Sequence, residues 1–404
     1  MLSQIWLRRW WRSNMSVRDY LRRNPDAETP AYYFDLDVFA KRVDLVCREL
    51  AGIPLTFSMK ANPFLVADLP DNISHVEVCS PGELAICKSN QIPGSRIIYS
   101  GVNKGMADIA EAIAYDADIV TAESIRQAEL AQTAAKQLGK VQKVILRLTS
   151  GNQFGMSEAD IAQLLLNAAL YPNLHFYGIH YYSGTQKKLR QVEKDIRSLE
   201  RFLLKAKEEL RFIPQMVEIG PGLGVDCFDT TYDAEEELLR EVSKQLLAFA
   251  DQYPLGVEMG RFLAAPCGSY ITRVADLKNS YDTDYVICDG GIHQLKYYGQ
   301  TMAMQIPEME LISTNKTDVQ KPYCVCGSLC TTADVLVREV ELPEIKIGDT
   351  LVFHRCGAYS VTEGSALFLS RELPAVYLYS KKNGLQKKRD VIEVASMNSP
   401  GEGN

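Results

Sequence analysis

Ile119 to Leu138 reads IVTAESIRQAELAQTAAKQL, and these twenty residues state the fold in miniature. Ile119–Ala122 is a short β-rich run, and from Ala122 the apolar residues recur at helical spacing above a charged face. A strand feeding directly into an amphipathic helix is one βα unit, and Val144–Leu148 supplies the next strand. Outward from this unit the rhythm repeats, with strands predicted at Ala31–Leu36, Leu55–Ala61, His75–Cys79, Arg96–Ser100, Phe176–Tyr182, Met216–Ile219 and Gly256–Met259. Strands alternating with helices over 31–265 build an α/β domain with a buried parallel sheet.

Beyond Pro266 the pattern becomes strand after strand with Gly, Asp and Pro turns: Gly268–Ala275, Asp284–Cys288, Tyr323–Cys326, Val335–Val340, Thr350–Phe353 and Ala375–Tyr379. This predicts a second, mainly antiparallel β-domain over 266–380, with 15–30 joined to it. The charged tail 381–404, ending in MNSPGEGN, reads as disordered. Residues 1–14 carry all three tryptophans (Trp6, Trp10, Trp11) among Arg8, Arg9 and Arg12. They read as an extension upstream of a start at Met15, in preference to a membrane-touching segment.

Composition narrows the function. With 404 residues, 46% of them hydrophobic, the chain can bury the cores of two domains. A net charge of −7 argues against nucleic acid, whose phosphates demand a basic face. No apolar run is long enough to span a bilayer. The ten cysteines are scattered through apolar runs and read as free thiols in a reducing cytoplasm. Cys324, Cys326 and Cys330 cluster without a CxxC pair or nearby histidine, so no metal site is expected.

Reactive side chains fall repeatedly where the parallel strands end, which is where barrel active sites form. Lys60 closes TFSMK, Arg147 closes VILR, His180 and Tyr182 close FYGIHYY, and Glu258 with Arg261 close GVEMGR. Singly each is weak; a lysine after a strand is usually a solvated loop cation. The turn IGPGLG (Ile219–Gly224) lets backbone N–H groups approach a phosphate, or is an ordinary tight turn. It lacks the GxGxxG spacing of a dinucleotide site.

Eight segments, FSMKANP (57–63), VEVCSPGEL (76–84), NQFGM (152–156), GIHYYSGTQ (178–186), IGPGLGVD (219–226), EMGR (258–261), GSLCTTADVL (327–336) and CGAY (356–359), fall in one order. That order resembles the fold-type-III decarboxylases that use pyridoxal 5'-phosphate, the diaminopimelate and ornithine decarboxylase family. The resemblance runs from about Thr29 to Tyr379. It implies an alanine-racemase-like (β/α)8 TIM barrel plus a C-terminal β-domain, and a homodimer with shared active sites. It implies that Lys60 holds the cofactor covalently through its amine. Glu258 would face the pyridine nitrogen, and Gly220, Gly222 and Gly224 the phosphate, with Arg261, Tyr359 and Thr185 assisting. Cys330 would deliver a proton after carbon dioxide leaves. Glu83 and Arg147 match further cofactor-site positions, although a salt bridge at the barrel mouth explains them almost as well.

The pattern also breaks. Tyr182 stands where many members place a histidine against the cofactor face, with His180 two residues earlier, and Pro221 removes one N–H from the glycine loop. Thr331 follows Cys330 where diaminopimelate decarboxylases carry a glutamate, and the arginine that reads the distal carboxylate aligns with Tyr297, beside Lys296. Thr331, Asp334, Lys296 and Tyr297 are therefore the candidate substrate-binding residues. The segments around Cys330 and in DGGIHQ (289–294) resemble divergent decarboxylases that act on modified amino acids, siderophore precursors or carrier-bound aminoacyl groups. For an acidic carrier, Lys187, Lys188 and Arg190 offer a basic approach surface, unless they form a solvated helix face. The function expected is decarboxylation of a modified or carrier-bound L-amino acid. The alternatives are a diaminopimelate decarboxylase, an amino-acid racemase and a non-catalytic cofactor-binding regulator.

Overall fold

The computed structural model describes residues 17–228, 233–313 and 319–401. The expectation for residues 1–14 lies outside them. The described residues divide into two compact units, one of 40–225 with 233–263 and the other of 17–39, 226–228, 264–313 and 319–401.

The first unit is an eight-stranded closed barrel in which every pairing is parallel. Chain order counts β1 (Ala31–Asp35) outside it, and the barrel runs β2 (Leu55–Ser58), β3 (His75–Val78), β4 (Ile97–Tyr99), β5 (Ile119–Ala122), β6 (Gln142–Leu148), β7 (Leu174–Tyr182), β8 (Met216–Gly220) and β9 (Leu255–Met259). The barrel strands are largely buried on both faces, and in β2, β5 and β9 every position is buried. Between strands, serines stop the chain and start helices. Ser80, Ser124 and Ser157 each accept the amide three residues on, opening helices Pro81–Ser89, Ile125–Gln137 and Glu158–Leu166.

The second unit is a nine-stranded mixed sheet, mostly antiparallel. It holds β1, β10 (Gly268–Ser280), β11 (Thr283–Cys288), β12 (Met309–Ile312), β13 (Gln320–Cys326), β14 (Val335–Pro343), β15 (Thr350–His354), β16 (Ala375–Ser380) and β17 (Gly384–Arg389). The parallel pairs are β1 with β16 and β11 with β13. Its core gathers Leu21, Ala31, Tyr33, Ile271, Val352 and Tyr377, with Tyr33 stacked on Tyr377 at 4.8 Å between centroids.

Two boundaries differ from expectation. Ala31–Asp35 was grouped with the barrel, but it pairs with β10 and β16 of the sheet. Its sequence AYYFD dictates a strand buried on both faces, and nothing local says which sheet receives it. The tail was expected to be disordered, yet β17 pairs antiparallel with β16 and Ala395–Asn398 forms a helical turn. β17 is an edge strand whose Lys387 and Lys388 face solvent, and lysines of that kind protect edges while making the sequence look unstructured.

Candidate active site

Three barrel strands carry a glutamate directly after a valine: Glu77 in β3, Glu218 in β8 and Glu258 in β9, all buried. A carboxylate out of water persists only with a partner or with a proton. Glu77 accepts from the Lys60 ammonium at 2.8 Å, Lys60 lying in the single 3-10 turn Met59–Ala61 at the end of β2. Burial works against its charge, but the Lys60 charge and hydrogen bond, helped by His180 and Ser58, hold the Glu77 carboxyl well below the ordinary carboxylate range. Glu218, fully enclosed, accepts from Thr56 Oγ1 at 2.8 Å. Burial and then the like charge of Glu258 push its carboxyl well above that range. Glu258 Oε1 lies 3.3 Å from His180 Nε2, in electrostatic reach but not aligned as a hydrogen bond.

Lys60 keeps 38% of its side chain accessible, so its amine is reachable from the barrel mouth, and Cys79 Sγ stands 3.7 Å away. Across the site, Gly220 is obligatory. A Cβ there would stand 2.5 Å from Tyr182 Cδ2 and 2.7 Å from Glu258 Oε1. Gly222 has φ +58° and a Cβ would meet the Gly184 carbonyl oxygen at 2.0 Å, so this turn and the Ser183–Lys188 loop pass at backbone distance. Lys187 N donates to Gly222 O at 2.8 Å and Gly224 N to Lys187 O at 3.2 Å. The Gly224 amide is thus spent inside the loop, which corrects its assignment as a phosphate donor. Burial raises the Tyr182 phenol above the usual range.

Other expected residues take other partners. Arg147 pairs with Glu123 at 2.6 Å and covers the Phe154 ring at 4.8 Å. Glu83 Oε2 accepts the Cys79 amide at 2.6 Å while its own amide caps on Ser80, so Glu83 folds the turn after β3 and does not bridge to Arg147. Lys187 is buried, 2.6 Å from Asp195, and offers no approach surface. Arg261 directly follows β9 through Gly260.

The remaining candidates belong to the sheet unit. Cys330 is exposed on the turn between β13 and β14, and Thr331 Oγ1 beside it accepts the Ala333 amide at 3.3 Å. Tyr359 has φ +69°, strained for a non-glycine residue. Asp334, expected to bind substrate, is buried and accepts Ile292 N at 2.8 Å and Leu329 N at 2.7 Å. It builds the Cys330 turn from within. Asp334→Ala leaves those donors without a charged acceptor and is expected to cost about 2–4 kcal/mol in urea unfolding. Tyr297 likewise is no substrate ligand, being buried with its hydroxyl on the His354 carbonyl at 2.6 Å. Lys296 is exposed and 3.2 Å from Glu363.

Two family models match over overlapping ranges: the alanine racemase N-terminal domain over 55–220 and the pyridoxal-dependent decarboxylase C-terminal sheet domain over 164–357. This chain is a pyridoxal-phosphate-dependent decarboxylase of fold type III. Among the decarboxylases it resembles is the 2-[(L-alanin-3-ylcarbamoyl)methyl]-2-hydroxybutanedioate decarboxylase of Staphylococcus aureus, 26% identical over 87% of this chain and 94% of that one. The L-glutamyl-[BtrI acyl-carrier protein] decarboxylase of Niallia circulans is 27% identical over 88% and 90%. The diaminopimelate decarboxylase of Bacteroides thetaiotaomicron is 25% identical over 87% and 95%. In fold, the chain matches the M. jannaschii diaminopimelate decarboxylase solved with L-lysine, at a TM-score of 0.82 and 23% identity over 95% of each chain.

The barrel mouth suits the family's cofactor on its own geometry. Among the described residues, Glu258 Oε2 and both ring nitrogens of His180 are buried without a hydrogen-bond partner, polar atoms that a bound group can satisfy. Gly220 and Gly222 leave open a cradle that any Cβ would fill. A reachable amine stands on the Glu77 carboxylate of the same cluster. Among the described residues no helix is long and apolar enough to cross a membrane.

Sequence reading passed over four members of this cluster. Glu77 and Glu218 stand one residue from the end of apolar runs, where a charge signals an inward-facing polar site. Glu123 and Lys104 are loop residues whose burial no local pattern reveals. Lys104 donates to the Gly101 carbonyl, and burial, offset in part by Glu123, lowers its amine to about 8.

Proposed function

We propose that this decarboxylase acts on a modified or carrier-bound L-amino acid in preference to free diaminopimelate. The observation that carries the reading is Tyr297: where the family's diaminopimelate decarboxylases place an arginine, its hydroxyl is turned onto the His354 carbonyl at 2.6 Å. Neighbouring Lys296 is engaged with Glu363 at the surface. A site that reads a distal carboxylate needs a bidentate cation, and a phenol already bonded to backbone supplies none. The S. aureus and N. circulans relatives, named for a citrate-like amide and a carrier-bound glutamyl group, support the same reading.

Pyridoxal phosphate, when bound, supplies an electron sink for the pair released as the Cα–carboxylate bond breaks. The chain's residues then have distinct duties. Lys60 would hold the cofactor through its amine, and Glu77 keeps that amine in place at 2.8 Å. Glu258 would hold the ring nitrogen, Tyr182 and His180 would line the ring, and the Gly220–Gly222 turn with Thr185 and Arg261 would hold the phosphate. Cys330 delivers the proton that replaces carbon dioxide. Its exposure on a single chain supports a dimer in which the partner completes each site. Ten cysteines outside any disulfide fit a cytoplasmic enzyme.

The test is release of carbon dioxide from free diamino acids, from acidic and amide-linked amino acids, and from aminoacyl thioesters on a carrier protein. Turnover of a modified or thioester substrate at least about tenfold above diaminopimelate in kcat/KM is expected. Preference for free meso-diaminopimelate overturns the reading.

A further inference from the structure

Glu218 has no role in the scheme above. It is 0% exposed, lies on β8 two residues before the glycine turn, and brings an oxygen within 4.8 Å of both Glu258 and His180. One oxygen is bonded to Thr56, and the other, Oε2, is buried with no hydrogen-bond partner among the described residues, as is Oε2 of Glu258. The groups facing this interior layer are Thr56 from β2, Lys60 beyond it, Glu77 from β3, His180 and Tyr182 from β7, and Glu258 from β9. Lys60 is committed to Glu77 at 2.8 Å, so its charge is already paired. Two further carboxylates at this spacing, sealed from water, cannot both stay ionised.

We propose that Glu218 is a positioning residue: it carries a proton in the folded enzyme and offers that O–H to the Glu258–His180 pair, so that Glu258 alone bears the charge presented to the cofactor. The inference rests on the assignment of Glu258 to the ring nitrogen. Its physical content is that a neutral donor behind Glu258 fixes the carboxylate's orientation without competing for its charge. Thr56 takes part by donating to the carbonyl oxygen of the acid, leaving the protonated oxygen free to turn inward.

Folding must then take up a proton at position 218. The unfolded carboxyl ionises at about pH 4.3 while the folded one stays protonated above it, so this residue's contribution to stability is greatest in acid and declines as pH rises. Glu218→Gln keeps the shape and the donor but cannot ionise. Urea unfolding of cofactor-free wild type and E218Q between pH 5 and 8 should therefore differ in slope by one proton, E218Q gaining on wild type as pH rises. In the loaded enzyme E218Q should keep cofactor affinity within about threefold, while E218M, which lacks the donor, should weaken it about tenfold or more. Equal pH slopes for wild type and E218Q, or E218Q as weak as E218M, overturn the proposal, as does equal affinity in all three. Glu258→Gln with unchanged cofactor absorbance and turnover would instead sink the assignment of Glu258. The slope test on cofactor-free protein remains separate from that failure.

Discussion

Lys60→Ala is expected to abolish decarboxylation, lowering turnover about 10³-fold or more, because it removes the amine proposed to hold the cofactor. The near-visible absorbance of the lysine-bound cofactor should vanish with it. The same substitution has a consequence away from catalysis. In the wild type, burial disfavours the Glu77 charge, but Lys60 at 2.8 Å outweighs it and holds the carboxyl low. A carboxyl lowered on folding contributes stability above its unfolded value, about pH 4.3, and loses it as pH falls through its lower folded value. In K60A burial acts alone, Glu77 moves up, and the sign reverses. The stability gap between cofactor-free wild type and K60A should widen from pH 4 to 7 and close in acid, as followed by urea unfolding. Full turnover by K60A, or a gap independent of pH, contradicts the site as drawn.

Glu258→Gln is expected to lower kcat about 10²- to 10³-fold while the cofactor remains attached to Lys60. The amide preserves the shape that Gly220 makes room for, 2.7 Å from Glu258 Oε1 to the glycine's would-be Cβ. What it removes is charge in a buried cluster, where a charge acts far more strongly than in water. The readout is single-turnover carbon dioxide release together with the absorbance spectrum. A loss of cofactor in place of a loss of rate would mean that Glu258 serves binding rather than the chemistry. Glu258→Asp, with the charge kept and the reach shortened, should fall between.

Local pattern determined a great deal here. The barrel strands from Leu55 to Met259 were legible because most are apolar runs ahead of an amphipathic helix, and repeated βα units build a parallel sheet. Lys60, Arg147, His180, Tyr182, Glu258 and Arg261 were legible as site candidates because strand ends deliver side chains to one mouth. Where the sequence misled, the missing information was the partner. AYYFD reads as a strand in either unit, and only its pairing with β10 and β16 assigns it. Asp334 and Tyr297 read as polar groups in a motif, and their hydrogen bonds turn one into a loop brace and the other into a backbone tie.

The sequence by itself determined which elements form and which strand ends carry reactive groups, since these depend on neighbours three or four residues away. Tertiary structure alone decided which charges meet. Glu77 finds Lys60 across two strands, Arg147 finds Glu123, and Glu218 lies close to Glu258 and His180 inside the barrel. Charge states in a buried site follow from distance and exclusion of water, and neither quantity is written along the chain.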